Sequence, residues 1–95
     1  MPSNTGVTIH IPRELRADCG GASSLAVSAV SVKAALVDLE RRYASLYRNI
    51  CDETGSVRRH INLFVNSTHV RERDGLATLL VPGDVLTILP AVSGG

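Results

Sequence analysis

Few residues of this chain have types and spacing that could do chemistry. His10, His60 and His69 are scattered, and Cys19 and Cys51 stand far apart. No Gly-x-Ser-x-Gly elbow, phosphate-cradling glycine loop or His-Glu-x-x-His pair occurs, so the motif-borne acyl, phosphoryl and zinc chemistries have no carrier here. A triad from Cys51, a histidine and an aspartate, or a metal site from Cys19, Cys51 and a histidine, can be composed from the inventory. Such sites are defined by geometry, not inventory, and no spacing supports either. The reading is therefore no catalytic residue, no metal and no bound cofactor. What remains is the end of the chain, Ala91-Val92-Ser93-Gly94-Gly95. Glycine lacks a Cβ, so backbone here can enter a narrow channel on another protein. The one reactive group such a tail delivers is the Gly95 carboxylate. The expectation is a chain that serves as substrate while a partner is the enzyme.

The elements that must position this tail read as follows. Val7, Ile9 and Ile11 alternate with polar neighbours, predicting a first strand ended by Pro12. A loop from Pro12 to Ser23 follows, and Leu25, Val27 and Ala29 predict a second strand. Val32, Leu36, Leu39, Tyr43, Leu46 and Ile50 form one stripe of a single helix, with Ser31 at its N-cap. Ile61, Leu63 and Val65 predict a third strand, Val70 a short edge strand, and Val85–Leu89 the last, stopped by Pro90. Pro82-Gly83 fits the centre of a type II turn. One helix must bury its stripe against one sheet. This is an α+β arrangement: a mixed sheet of four or five strands grasping one helix, its first and last strands parallel at the centre. The domain is read as residues 7–90, with loose ends at 1–6 and 91–95.

Composition limits the alternatives. The 95 residues suit one domain, and 44% apolar with 20% charged residues is a globular balance. A formal charge of +1 is no nucleic-acid footprint. The N-terminus carries no signal-peptide pattern, and Leu76–Val92 is broken by Pro82-Gly83-Asp84 and Pro90, too short for a membrane span. The cysteines read as reduced thiols. A cytoplasmic protein without nucleic-acid or membrane partners is expected.

Gly83-Asp84-Val85-Leu86-Thr87-Ile88-Leu89-Pro90-Ala91-Val92-Ser93-Gly94-Gly95 resembles the ending of the ubiquitin-like sulfur carriers of the MoaD/ThiS group. The likeness extends through Asn62-Leu63-Phe64-Val65-Asn66 and Gly75-Leu76-Ala77-Thr78. The long first loop with Gly20-Gly21 favours the cysteine-pathway branch, with Ser93 in place of the alanine common there. The resemblance implies the β-grasp, ubiquitin-like fold for this sheet and helix. It also implies that an E1-like enzyme uses ATP to adenylate Gly95, and that sulfur transfer leaves a thiocarboxylate on Gly95. It implies a sulfur-accepting biosynthetic partner, cysteine synthase-like or thiosugar synthase-like, and a metallopeptidase that releases the adduct. Alternatives within reach are the small subunit of molybdopterin synthase, a protein modifier joined through Gly95 to lysines, and a plain interaction domain.

Docking is expected on the sheet face away from the helix. With Leu86 and Ile88 inward, alternation turns Thr87 and Leu89 outward, and with Leu63 inward it turns Phe64 outward. Phe64, Thr87 and Leu89 are the candidate docking residues, unless Phe64 folds under a loop. Arg71 and Arg73 read as a solvated pair.

Overall fold

Alternating apolar residues build one sheet, and its inward side takes most of the strongly apolar strand positions, with Phe64 and Leu89 turned the other way. The computed structural model describes residues 6–91. The strands are β1 (Gly6–His10), β2 (Ser24–Ser28), β3 (Ile61–Val65), β4 (Thr68–His69) and β5 (Val85–Pro90). They form a five-stranded sheet in the order β2-β1-β5-β3-β4. β1 and β5 are parallel neighbours, and the other pairings are antiparallel. The parallel centre expected from the sequence is therefore present, with the chain's last strand hydrogen-bonded on both sides.

Val7, Ile9, Leu25, Val27, Ile61, Leu63, Val65, Leu86 and Ile88 are buried under the helices. The helical stripe meets them: Val32, Leu36, Leu39, Leu46 and Ile50 are all buried. Ser31 caps this helix as expected, its hydroxyl accepting from Ala34 N–H at 3.1 Å.

The single helix is a correction. The segment is two helices, α1 (Val32–Arg42) and α2 (Ala44–Ile50), broken at Tyr43 with φ −140° and ψ 75°. Tyr43 N–H still donates to Leu39 O, and Tyr43 O still accepts from Tyr47 N–H. The break thus leaves the apolar phase intact, which is why spacing alone cannot reveal it. The bend brings α2 onto the segment after Pro12, where Asn49 donates to the Asp18 carboxylate at 2.7 Å.

That segment corrects the expected loop. Arg13–Cys19 is a 3-10 helix that starts after Pro12 and ends in Gly20 and Gly21, at φ 71° and 85°. Both glycines occupy the left-handed region, where other residues are strained. The expected edge strand also shifts: β4 is Thr68–His69, and Val70 instead opens a 3-10 turn and is buried. Gly6 belongs to β1 rather than to a loose end. Pro90 closes β5 instead of standing beyond it. By alternation its missing N–H faces the β1 side, where pairing has already ended at Thr87.

The Pro82-Gly83 turn stands as expected. Gly83 has φ 94°, and Asp84 N–H donates to Val81 O at 3.0 Å. Asp84 then holds the start of β5. Its carboxylate accepts from Val81 N–H at 2.9 Å and from the Asn66 amide at 3.1 Å. Asn66, at φ 57°, also accepts from Val85 N–H at 3.0 Å.

The Val81 N–H and then the Asn66 amide hold the Asp84 carboxyl below its ordinary value. A depressed carboxyl stabilises the fold above its unfolded value and loses that contribution as pH falls through its folded value. Asp84→Ala should therefore destabilise the domain by about 1 kcal/mol near neutral pH. Urea melts of both proteins should converge once the medium is acidic enough to protonate Asp84 in the folded state.

Candidate functional site

β5 aims the tail. Its ladder to β3 runs from Leu86 opposite Val65 to Pro90 opposite Ile61. One further bond, Ala91 N–H to His60 O at 2.6 Å, extends it past the strand. Ala91 is therefore fixed against the sheet rather than part of a loose end. Val92, Ser93, Gly94 and Gly95 lie outside the described residues.

Among the described residues no element covers the sheet face opposite the helices. Registers place Ser24, His10, Thr87, Phe64 and His69 in one row across all five strands. Leu89 lies in the next row, opposite Asn62, which makes it a diagonal neighbour of Phe64. Leu89 is 46% exposed, whereas Ile88 beside it is fully buried. The predicted phase of β5 is thus the observed one. Phe64 and Thr87 are half-buried on the same open face, so the three candidate docking residues do come together.

Phe64 is not folded under a loop. Its flank is taken by His69, whose ring meets it edge-on at 5.0 Å and 70°. His69 is itself held from two sides. Its Nδ1 accepts from Arg71 N–H at 2.9 Å, and its Nε2 lies 3.0 Å from Asn62 Oδ1. An accepting Nδ1 assigns the proton to Nε2, which donates to Asn62. The sequence reading missed His69 and Asn62 as members of this face. Asn62 was recoverable from alternation with Phe64. His69 was not, because the edge strand was expected at Val70.

The cysteines stand apart from this face. Both are free and buried. Burial pushes the Cys51 thiol up, away from thiolate, the opposite of what a sulfur nucleophile needs. Cys19 Sγ lies 3.5 Å from the carbonyls of Arg16 and Ala22. Among the described residues no group of three metal-ligating side chains gathers. No helix there is long and apolar enough to cross a membrane.

Comparisons with known proteins give the same picture from outside. The family described as "ThiS family" matches residues 10–95. The sulfur carrier protein CysO of Mycobacterium tuberculosis is 41% identical over 91 residues, covering 94% of this chain and 98% of that protein. Among solved structures, CysO in the Amycolatopsis orientalis BexX/CysO complex matches with a TM-score of 0.86 at 39% identity, covering 94% of this chain and 99% of that one. The small archaeal modifier protein 1 of Methanosarcina acetivorans matches with a TM-score of 0.84 at 30% identity, covering 96% and 97%.

Two adjacent residues test the open face. Ile88→Asp should unfold the domain, because an unpaired buried carboxylate costs several kcal/mol. Leu89→Asp should melt close to the parent, because its charge meets water. Thermal melts followed by circular dichroism decide this, and the reverse order would invert the face assignment.

Proposed function

This chain belongs to the ThiS family of ubiquitin-like sulfur carriers, and from that premise we propose that its cargo rides on the Gly95 carboxyl as a thiocarboxylate, for delivery in cysteine biosynthesis. The observation that carries this reading is the course of β5. It is locked in the sheet centre and tied through Ala91 to His60, and Val92, Ser93, Gly94 and Gly95 come next in the sequence.

A carboxylate resists nucleophiles because oxide is a poor leaving group. An E1-like activating enzyme overcomes this with ATP. The Gly95 carboxylate attacks the α-phosphorus and pyrophosphate departs, leaving an acyl adenylate. A sulfur nucleophile then displaces AMP, and the carboxyl keeps one oxygen and gains one sulfur. ATP belongs to that enzyme, and this chain holds no cofactor of its own.

In the accepting enzyme the thiocarboxylate sulfur attacks an electrophilic carbon. For a cysteine synthase-like acceptor that carbon is the terminal carbon of an aminoacrylate made from activated serine. The resulting thioester passes its acyl group from sulfur to the cysteine nitrogen, and a metallopeptidase hydrolyses that amide with water, freeing cysteine and restoring the Gly95 carboxylate. A thiosugar synthase-like acceptor uses the same tail and a different electrophile.

This chain supplies reach and placement. Four extended residues span at most about 14 Å, so a partner cannot take the tail without lying against the domain. From the anchored Ala91, residues Val92, Ser93, Gly94 and Gly95 enter the partner's site, and Phe64, Thr87 and Leu89 form the surface it rests on. The likeness to an archaeal modifier protein supports a second reading, attachment of Gly95 to lysines of other proteins. Isopeptide-linked targets are its signature, and a free protein bearing terminal sulfur is the carrier's.

The test is intact-protein mass spectrometry after incubation with an E1-like activating enzyme, ATP and a sulfide source. The parent should gain the mass of one oxygen-to-sulfur exchange, mapped to Gly95. Deleting Gly95 should abolish the gain and leave the melting temperature unchanged. A variant with Cys19→Ser and Cys51→Ala should load like the parent. A persulfide on Cys51 in place of the terminal exchange would overturn the mechanism.

A further inference from the structure

Beside the strand end that launches the tail lies a cleft of about 370 Å3. Leu63, Val70 and Leu76 line it with apolar surface, and Arg58, Arg59 and Arg71 bring it three guanidiniums. Among the described residues no carboxylate lines it. Glu72 and Asp74 follow Arg71 closely in sequence but are not part of its wall.

The three cations differ in how they are held. Arg58 is half-buried, and its Nε donates to Arg48 O near the end of α2 at 2.7 Å. That bond fixes the side chain, whose charge also reaches Asp52 across a neighbouring cleft. Arg59 and Arg71 are exposed, and among the described residues neither guanidinium has a hydrogen-bond or ion-pair partner. A guanidinium is a planar fork matched to carboxylates. Three of them around an apolar floor, with no acid in the wall, form a surface of one sign with a greasy centre.

We propose that this cleft docks an acidic segment of a protein partner, with carboxylates on Arg58, Arg59 and Arg71 and an apolar side chain over Leu63, Val70 and Leu76. Charge complementarity names the occupant's sign, and the apolar floor names its class. A bare phosphate has no use for that floor. The chain's formal charge of +1 lacks the broad basic field of a nucleic-acid binder.

Position supports the same occupant. His69 lines the cleft and also meets Phe64 on the open face, so the two surfaces join at one side chain. Arg59 precedes His60, whose carbonyl holds Ala91. A partner resting on the open face and taking the tail therefore passes the arginine rim. Complementary charge there orients the encounter and rejects partners of the wrong sign.

The inference builds on the carrier reading, but its test needs neither activating enzyme nor loaded Gly95. The full chain, labelled with nitrogen-15, is titrated with the peptide acetyl-Asp-Glu-Leu-Asp-Glu-amide. Controls are the peptide with Asn and Gln in place of Asp and Glu, and inorganic phosphate. The acidic peptide should shift the backbone amides of Arg59, Val70, Arg71 and Leu76. The neutral peptide should bind at least about tenfold more weakly. The double variant Arg59→Ser, Arg71→Ser should lose the acidic peptide by a similar factor with an unchanged melting temperature. Equal binding of the neutral peptide, or no shift in the cleft at millimolar acidic peptide, would overturn the proposal. So would phosphate binding as tightly at the same amides, which would mark a simple anion site. None of these failures would touch the loading of Gly95.

Discussion

The structure depends on the parallel pairing of β1 with β5. Strands from opposite ends of the chain lie side by side, Thr8 to Val85 and His10 to Thr87. Such a contact closes most of the chain into one loop, and its entropy must be offset by what the closure buries. Leu86 and Ile88 enter the core fully buried, beside Ile9, Leu39 and Leu46. The helices bury nothing useful until β5 fills the sheet centre. In turn β5 has no second neighbour until β3 arrives on its other side. The order β2-β1-β5-β3-β4 is thus a cooperative unit, and the tail emerges from its best-supported strand.

Sequence alone read what period and turn chemistry can encode. The alternation of Leu86 and Ile88 with Thr87 and Leu89 gave the faces, and Pro82-Gly83 gave the turn before them. The stripe from Val32 to Ile50 placed the helical layer but not its bend. Tyr43 keeps the hydrogen bonds on either side of the break, so the apolar spacing passes through undisturbed. The 3-10 helix Arg13–Cys19 shows no apolar stripe to read. Its marks were the caps, Pro12 before it and Gly20-Gly21 after it. The edge strand has only two residues, too few to show alternation, and so the place of His69 stayed hidden. With it went the contact that flanks Phe64.

The polar residues that might have suggested chemistry are occupied by architecture. Asp84 and Asn66 tie the turn after β3 to the start of β5. Asp52 accepts from Thr54 and Ser56 and folds the turn after α2, and those bonds hold its carboxyl low. Asp38 pairs with Arg42 at 2.9 Å, and Arg42 also donates to Ala26 O on the outer edge of β2. That bond occupies a carbonyl on an edge that could otherwise pair with another chain. His69 stands between Asn62 and the Arg71 backbone. These groups are committed to one another.

The composition of the charged surface fits that division of labour. Of the ten basic residues, nine are arginine and one, Lys33, is lysine. An acyl adenylate is consumed by amines, and a lysine near the strand end would compete with sulfur for an activated Gly95. A guanidinium stays protonated at pH 7 and has no free electron pair with which to attack. Arg58, Arg59 and Arg71 therefore place positive charge beside the tail's exit without placing a nucleophile there. The single lysine, Lys33, stands in the first turn of α1, on the layer opposite the open face. Under the proposed carrier chemistry, arginine supplies the charge of the rim without adding an amine beside the tail.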